Sequence, residues 1–383
     1  MQSFDFSGLP EFNRYNITYT ASEPVKIRLV HKDSFEEFFL PPGKERTFSS
    51  FADCYTEGGC IRDCCSLDVI PLKGKDPGFK PVAFSVSLVE NVPDKVVYIE
   101  NQRYRLGVNL LWGGGVSYLE DKSNKTPGVK NLLNGHDTGR LIQQSYYGTR
   151  KPPYECGEFM GNQWPYNPVQ GGDRANKKSK LIDFSVSDNS IYVKSRARDW
   201  GKDGVFTDAY YENVYTVTED TVHVRNIITD YSEYDHPNTA QELPAFYVIS
   251  YLKTFVYYNG KRPWENDGLS EKETGFWAYE KDGFVTIEDG NTETWCAWVD
   301  ENKVGVGLYT PNIKYYTSGR YMYDGTKDPE ADPTNYVAPL NSFAIKFATP
   351  IEYSYLIASG SVDEIRSTFT KNKCFTDNSD FNK

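Results

Sequence analysis

Two carboxylic residues in the amino-acid sequence stand in surroundings that could divide them into an acid and a base. Asp137 lies between His136 and Arg140 in NGHDTGR, beside cations or hydrogen-bond donors that keep a carboxyl ionised. Glu242 precedes Leu243-Pro244-Ala245-Phe246, where desolvation raises a carboxyl pKa and holds its proton. Hydrolysis of a glycosidic bond needs such a pair, one carboxyl protonating the leaving oxygen and one acting as base or nucleophile. Glu155, Glu158 and Asp173 are the other carboxyls considered. A structural Asp137–Arg140 ion pair and a strand-end role for Glu242 are the plain alternatives. A second set, His136, Arg140, Tyr146 and Tyr147, suits β-elimination from a uronic acid. There a His or Tyr removes the C5 proton and an arginine neutralises the sugar carboxylate.

Around these residues the stretch Trp112 to Asp173 gathers side chains that hold sugars. Planar amides pair with hydroxyls, and aromatic faces cover the C–H surface of a sugar ring. Gln143, Gln144, Asn162, Gln163 and Asn167 are interleaved with Tyr146, Tyr147, Trp164 and Tyr166, and Trp264 is a further candidate platform. Gln143, Tyr146, Trp164, Asn167 and Trp264 form the expected binding set. The plain alternative is a polar loop with its rings turned inward. From His136 onward this stretch shows no sustained helical or strand period, so it is expected to be irregular backbone carried on a scaffold.

The scaffold is expected to be β. Of 383 residues 15% are aromatic, with 29 Tyr and 22 Phe, and such rings favour pleated surfaces. LIDFSVS, SIYVKSRARDW, AYYENVYTVT and TVHVRNIITD succeed one another across Asp-Asn and Glu-Asp turns, the pattern of antiparallel hairpins. In the last pair Tyr215, Val217, Val222 and Val224 alternate with polar residues, and His223 falls on the wet face. Gly113-Gly114-Gly115 marks a tight corner between two strands. Ser361-Val-Asp-Glu364 is a capping box, which predicts one short C-terminal helix. The fold class is therefore all-β, a large antiparallel sandwich. Residues 1–80 form an N-terminal β region packed on the main domain, 81–383.

Charge and motifs narrow the partners. A net charge of −11 disfavours nucleic acid and anionic membranes, so a neutral or locally screened ligand is expected. No apolar run reaches the ~20 residues that span a bilayer. There is no P-loop, dinucleotide fingerprint, HExxH or GxSxG motif, and four histidines make a multi-histidine metal centre improbable. No cofactor is expected. The loop from Asp328 to Asn335 could hold a structural calcium ion, although such residues more often solvate a turn. Cys54, Cys60, Cys64 and Cys65 crowd together, which fits disulfides in an oxidising compartment, and hence secretion, better than a zinc site. Oligomeric state is not legible in the sequence.

The order strand, GGG corner, strand, then Asn131-Leu-Leu-Asn-Gly-His-Asp137 ending in Gly139-Arg140, resembles the early portion of galactose-mutarotase-like β-supersandwich proteins. The hairpin VYTVTEDTVHVRNIITD is similar to strands these proteins place across the sandwich face. The group contains sugar epimerases, polysaccharide lyases and accessory domains of glycosidases, so the resemblance implies architecture more than chemistry. The histidine and glutamate that epimerases carry in particular strands have no assured counterpart in this chain. Three functions are expected from these observations, in order. They are a secreted enzyme hydrolysing a glycosidic bond in a poly- or oligosaccharide, a polysaccharide lyase, and a glycan-binding protein without catalysis.

Overall fold

The computed structural model describes residues 2–5, 8–52, 66–90, 94–123, 126–272, 284–286 and 292–376. The crowded cysteines at 54–65 lie outside them.

Strict alternation builds the N-terminal body. Arg14–Ala21 turns Tyr15, Ile17, Tyr19 and Ala21 inward, and Val25–Val30 turns Val25, Ile27 and Leu29 inward. Alternate side chains on a pleated strand point to opposite faces, so each strand gives the core one apolar row. Four strands, 2–5, 66–71, 25–30 and 35–40, make one sheet, and 43–51, 14–21 and 80–87 make another. Lys80–Ser87 pairs with Arg14–Ala21, which joins it to the sheets of the N-terminal body. Its core continues into the main domain through Ile182, Tyr210 and Tyr231, with Phe39 stacked on Tyr231 at 5.6 Å.

The main domain is built on one long antiparallel sheet, with 96–100, 104–109 and 115–121 forming a separate three-stranded sheet. The path of the long sheet runs 269–272, 254–258, 295–299, 304–309, 351–361, 222–230, 206–217, 190–199, 168–169, 143–145, 239–249, 334–343, 315–321 and 284–286, with 180–186 paired beside 190–199. The sheet folds over on itself. Phe255, one strand from one end, and Tyr316, one strand from the other, have ring centroids 6.0 Å apart inside a shared core. The architecture is thus an all-β antiparallel sandwich. The hairpin pairs Val217 with Val222 and Tyr215 with Val224, all four buried. His223 is half-buried rather than solvated, and burial lowers its pKa. Gly113 and Gly114 turn with φ of 57° and 79°, and a Cβ on Gly113 would stand 2.0 Å from the Gln170 carbonyl oxygen.

The single α-helix among the described residues, Val362–Asn372, opens on the expected box, Ser361 and Glu364 each capping the other's backbone. No helix among the described residues is long and apolar enough to cross a membrane.

Two details of this sheet set the surroundings of Glu242. The segment expected to be irregular contributes a three-residue strand, Gln143–Ser145, which is inserted between 168–169 and 239–249. Register also slips between Glu242 and Phe246. Leu243 and Phe246 point into the core, while Ala240, Glu242, Ala245 and Tyr247 stand on the other face. Without the slip, Glu242 and Tyr247 would alternate to opposite sides.

Candidate functional site

Glu242 sits on the floor of that second face, 8% exposed. Tyr147 donates to its Oε1 at 3.2 Å, Tyr336 donates to the same oxygen, and the Ser145 hydroxyl also bonds the carboxyl. Burial pushes the Glu242 pKa above the ordinary glutamate value, and these hydroxyl donors only partly offset it.

Aromatic residues wall the floor on one side. Tyr147 packs edge-on against Trp164 at 6.2 Å, Trp164 against Phe159 at 5.1 Å, and Phe159 against Trp200 at 5.5 Å. The short hairpin of Gly157–Phe159 and Asn162–Trp164 presents two of these rings. Across the floor, Tyr247 and Tyr336 pack at 4.8 Å. Tyr321 stands opposite Thr334, two residues from Tyr336, so it belongs to the same face.

Arg140 lies over Tyr321, 5.3 Å from the ring centroid. Its Nε is 3.3 Å from Asp137 Oδ2, and its Nη2 donates to Asp332 Oδ1 at 2.9 Å. The other Asp137 oxygen accepts the Gly139 N–H at 2.8 Å. His136 is exposed, with Nδ1 against the Glu330 carbonyl at 2.5 Å and Nε2 3.7 Å from Asp332. Asp137, Arg140 and Asp332 therefore form one ion cluster, with His136 beside it, at the end of the face whose floor holds Glu242 and Tyr147.

Other expected residues take different places. Tyr146 is wholly buried, its hydroxyl donating to Gln144. Gln143 donates to the Thr138 and Gly139 carbonyls and accepts the Gly171 N–H, which fixes the loop bearing Asp137. Asn167 accepts the Trp164 indole N–H at 2.9 Å and donates to the Tyr146 carbonyl. These three hold the wall and floor from behind, since a buried amide must spend its hydrogen bonds inside the protein. Of the expected binding set, Trp164 is the member in the wall. Trp264 packs with Tyr309 in the apolar cluster under the C-terminal helix, apart from this face. Glu155 and Glu158 are exposed, and Asp173 is buried under backbone N–H donors from 175, 177 and 204.

Ser232, His236 and Asp230 imitate a nucleophilic triad behind the wall. Ser232 Oγ lies 2.8 Å from His236 Nε2 and donates to Asp230. Thr149 N–H, however, donates to His236 Nδ1 at 3.2 Å, which leaves the ring proton on Nε2. The ring donates to the serine and cannot take its proton. Its role is to anchor the backbone beside Tyr147, and a Cβ on Gly148 would fall 2.3 Å from Nδ1.

Tyr336, Ser145, Asp332, Phe159 and Trp200 escaped the sequence analysis. Only strand register and the hairpin contacts bring them to Glu242 and Arg140. Among the described residues no group of three or more His, Cys, Asp or Glu could hold a metal. In the loop proposed for calcium, Asp328 accepts the Glu330 N–H and Asp332 holds Arg140. A separate cavity of about 170 Å³ beside Gly135 is lined by Lys95, Tyr98, Trp112 and Tyr118, with Lys95 capping Trp112 at 4.4 Å. Its one carboxyl, Glu330, is exposed.

No family model and no curated protein matches the chain. Among solved structures, a galactose mutarotase-like protein from Lactobacillus casei is 12% identical, covering 69% of this chain and 99% of its own, with a TM-score of 0.41. A galactose mutarotase related enzyme from Lactobacillus acidophilus is 10% identical over 70% of this chain and 97% of its own, TM-score 0.42. A GH36 α-galactosidase from Geobacillus stearothermophilus is 8% identical over 72% of this chain and 42% of its own, TM-score 0.40. The chain resembles galactose mutarotase-like structures. The likeness is one of strand arrangement, and the chemistry rests on the residues of the Glu242 face.

Proposed function

We propose that the Glu242 face binds a hydroxyl-rich sugar and that Glu242 acts there as a general acid in cleaving a glycosidic bond. The observation that carries this is a carboxyl buried at the floor of an aromatic-walled face, its pKa raised by burial and its geometry fixed by Tyr147 and Tyr336. A carboxyl whose pKa is raised by burial holds its proton more readily and can pass it to the oxygen of a departing sugar. The rings of Tyr147, Trp164 and Phe159 offer apolar faces to the sugar's C–H surface. Asp137, fixed by Arg140 and Gly139, is the second carboxylate of the pair and the candidate to activate water.

Two arrangements weigh against elimination. Tyr147 donates its hydroxyl to Glu242, which commits the phenol as a donor, and Arg140 is already engaged by two carboxylates. Incubation with neutral and uronic polysaccharides tests the proposal. New reducing ends without unsaturated uronate are expected, together with a loss of about 10²- to 10⁴-fold in rate for Glu242→Gln. Unsaturated products would favour the lyase reading. Binding without products, or a Glu242→Gln enzyme of full activity, would remove Glu242 from any acid role.

A further inference from the structure

We infer that this face selects neutral sugars over uronates, and that Asp332 enforces the choice by occupying Arg140. The inference rests on the sugar-binding reading of the Glu242 face. A guanidinium with open N–H groups grips a carboxylate in a forked, paired geometry. Here that capacity is used inside the protein. Arg140 Nε faces Asp137 at 3.3 Å, Nη2 donates to the Asp332 carboxylate at 2.9 Å, Nη1 donates to the Asp332 carbonyl, and the planar group lies over Tyr321. One guanidinium set against two carboxylates leaves one formal negative charge over. A sugar carboxylate arriving here meets like charge instead of a waiting cation, and such built-in repulsion is a common source of selectivity.

Asp332 rather than Asp137 is the controlling partner for two reasons. Its side chain is the more open, 46% exposed against 29%, so it is the one an incoming anion would have to displace. Its loop is also held independently of the ion pair. Asn134 Nδ2 donates to the Ala331 carbonyl at 2.8 Å, and the Gly135 N–H donates to the Pro329 carbonyl at 2.9 Å. Removing the charge at position 332 therefore leaves the loop in place and frees one edge of Arg140.

The test is calorimetric titration of the full chain at fixed ionic strength with matched oligosaccharide pairs that differ at C6: glucan against glucuronan and galactan against galacturonan oligomers. The wild-type protein is expected to bind a neutral member at least about tenfold more tightly than its uronate partner. Asp332→Asn, and Asp332→Ser as a second variant, should strengthen uronate binding about tenfold while affinity for the neutral sugar stays unchanged. That unchanged affinity also shows that each variant is folded. Equal wild-type affinity for both members overturns the inference, and so does a gap that persists in both variants while they still bind the neutral sugar. Binding of no sugar at all overturns the sugar-face reading itself, and this inference with it.

Discussion

At the scale of single residues, Glu242 makes a prediction about pH. Its folded pKa lies above the value of 4.5 that an unburied glutamate has. The folded protein therefore holds this proton more tightly than the unfolded chain does. Stability from that proton is complete below the ordinary glutamate value and is lost as pH rises through the raised one. Glu242→Gln abolishes this slope. Melting temperatures measured from acid to neutral pH should fall for the wild-type protein relative to the variant as pH increases, and parallel curves would show that Glu242 is not perturbed. Tyr336→Phe removes a donor that favours the ionised form, so the alkaline limb of activity should move to higher pH.

At the scale of elements, a line of buried amides ties the strands beneath the site. Gln170 donates to Asn213 at 2.9 Å, Asn213 to Asn226 at 2.7 Å, and Asn226 to the Tyr353 hydroxyl at 2.8 Å. The line crosses Phe206–Val217, Val222–Asp230 and Ile351–Ser361, fixing their lateral order where apolar contacts alone would tolerate a slip. Gln170 also accepts the Gln144 N–H, which joins the strand Gln143–Ser145 to the same network. Asn213→Ala leaves buried donors and acceptors without partners and should cost about 2–3 kcal/mol in urea denaturation. An unchanged midpoint would mean that the line carries no stability.

At the scale of the whole molecule, the N-terminal body and the long sheet share an apolar core, with the Tyr210 hydroxyl accepting the Phe39 N–H at 3.2 Å. The cysteines divide in a testable way. Cys156, Cys296 and Cys374 are free thiols, and Cys296 is sealed in the core, where burial raises its pKa. If the four crowded cysteines pair in an oxidising compartment, denatured, unreduced protein should titrate with three thiols per chain out of seven cysteines. A count of seven would show that the four crowded cysteines do not pair.

Local pattern was enough for the scaffold. Alternation in RYNITYTA, VKIRLV and TVHVRNIITD specifies strands and their inward faces, because the pleat has a period of two. The capping box specifies its helix because every atom it uses lies within four residues. The same local logic singled out Glu242 beside an apolar run and Asp137 beside Arg140, since neighbours along the chain stay neighbours in space. Tyr146, Gln143 and Asn167 have the composition of a binding loop but spend their bonds inward; composition carries no direction. Tertiary structure alone decided which residues meet. Register slip at Glu242 placed it on one face with Tyr247, and pairing of 239–249 with 334–343 brought Tyr336 to its carboxyl. A loop some 190 residues downstream of Arg140 supplied Asp332. Contacts across such separations depend on sheet order and register, which are properties of the folded chain as a whole and leave no mark on any short stretch of sequence.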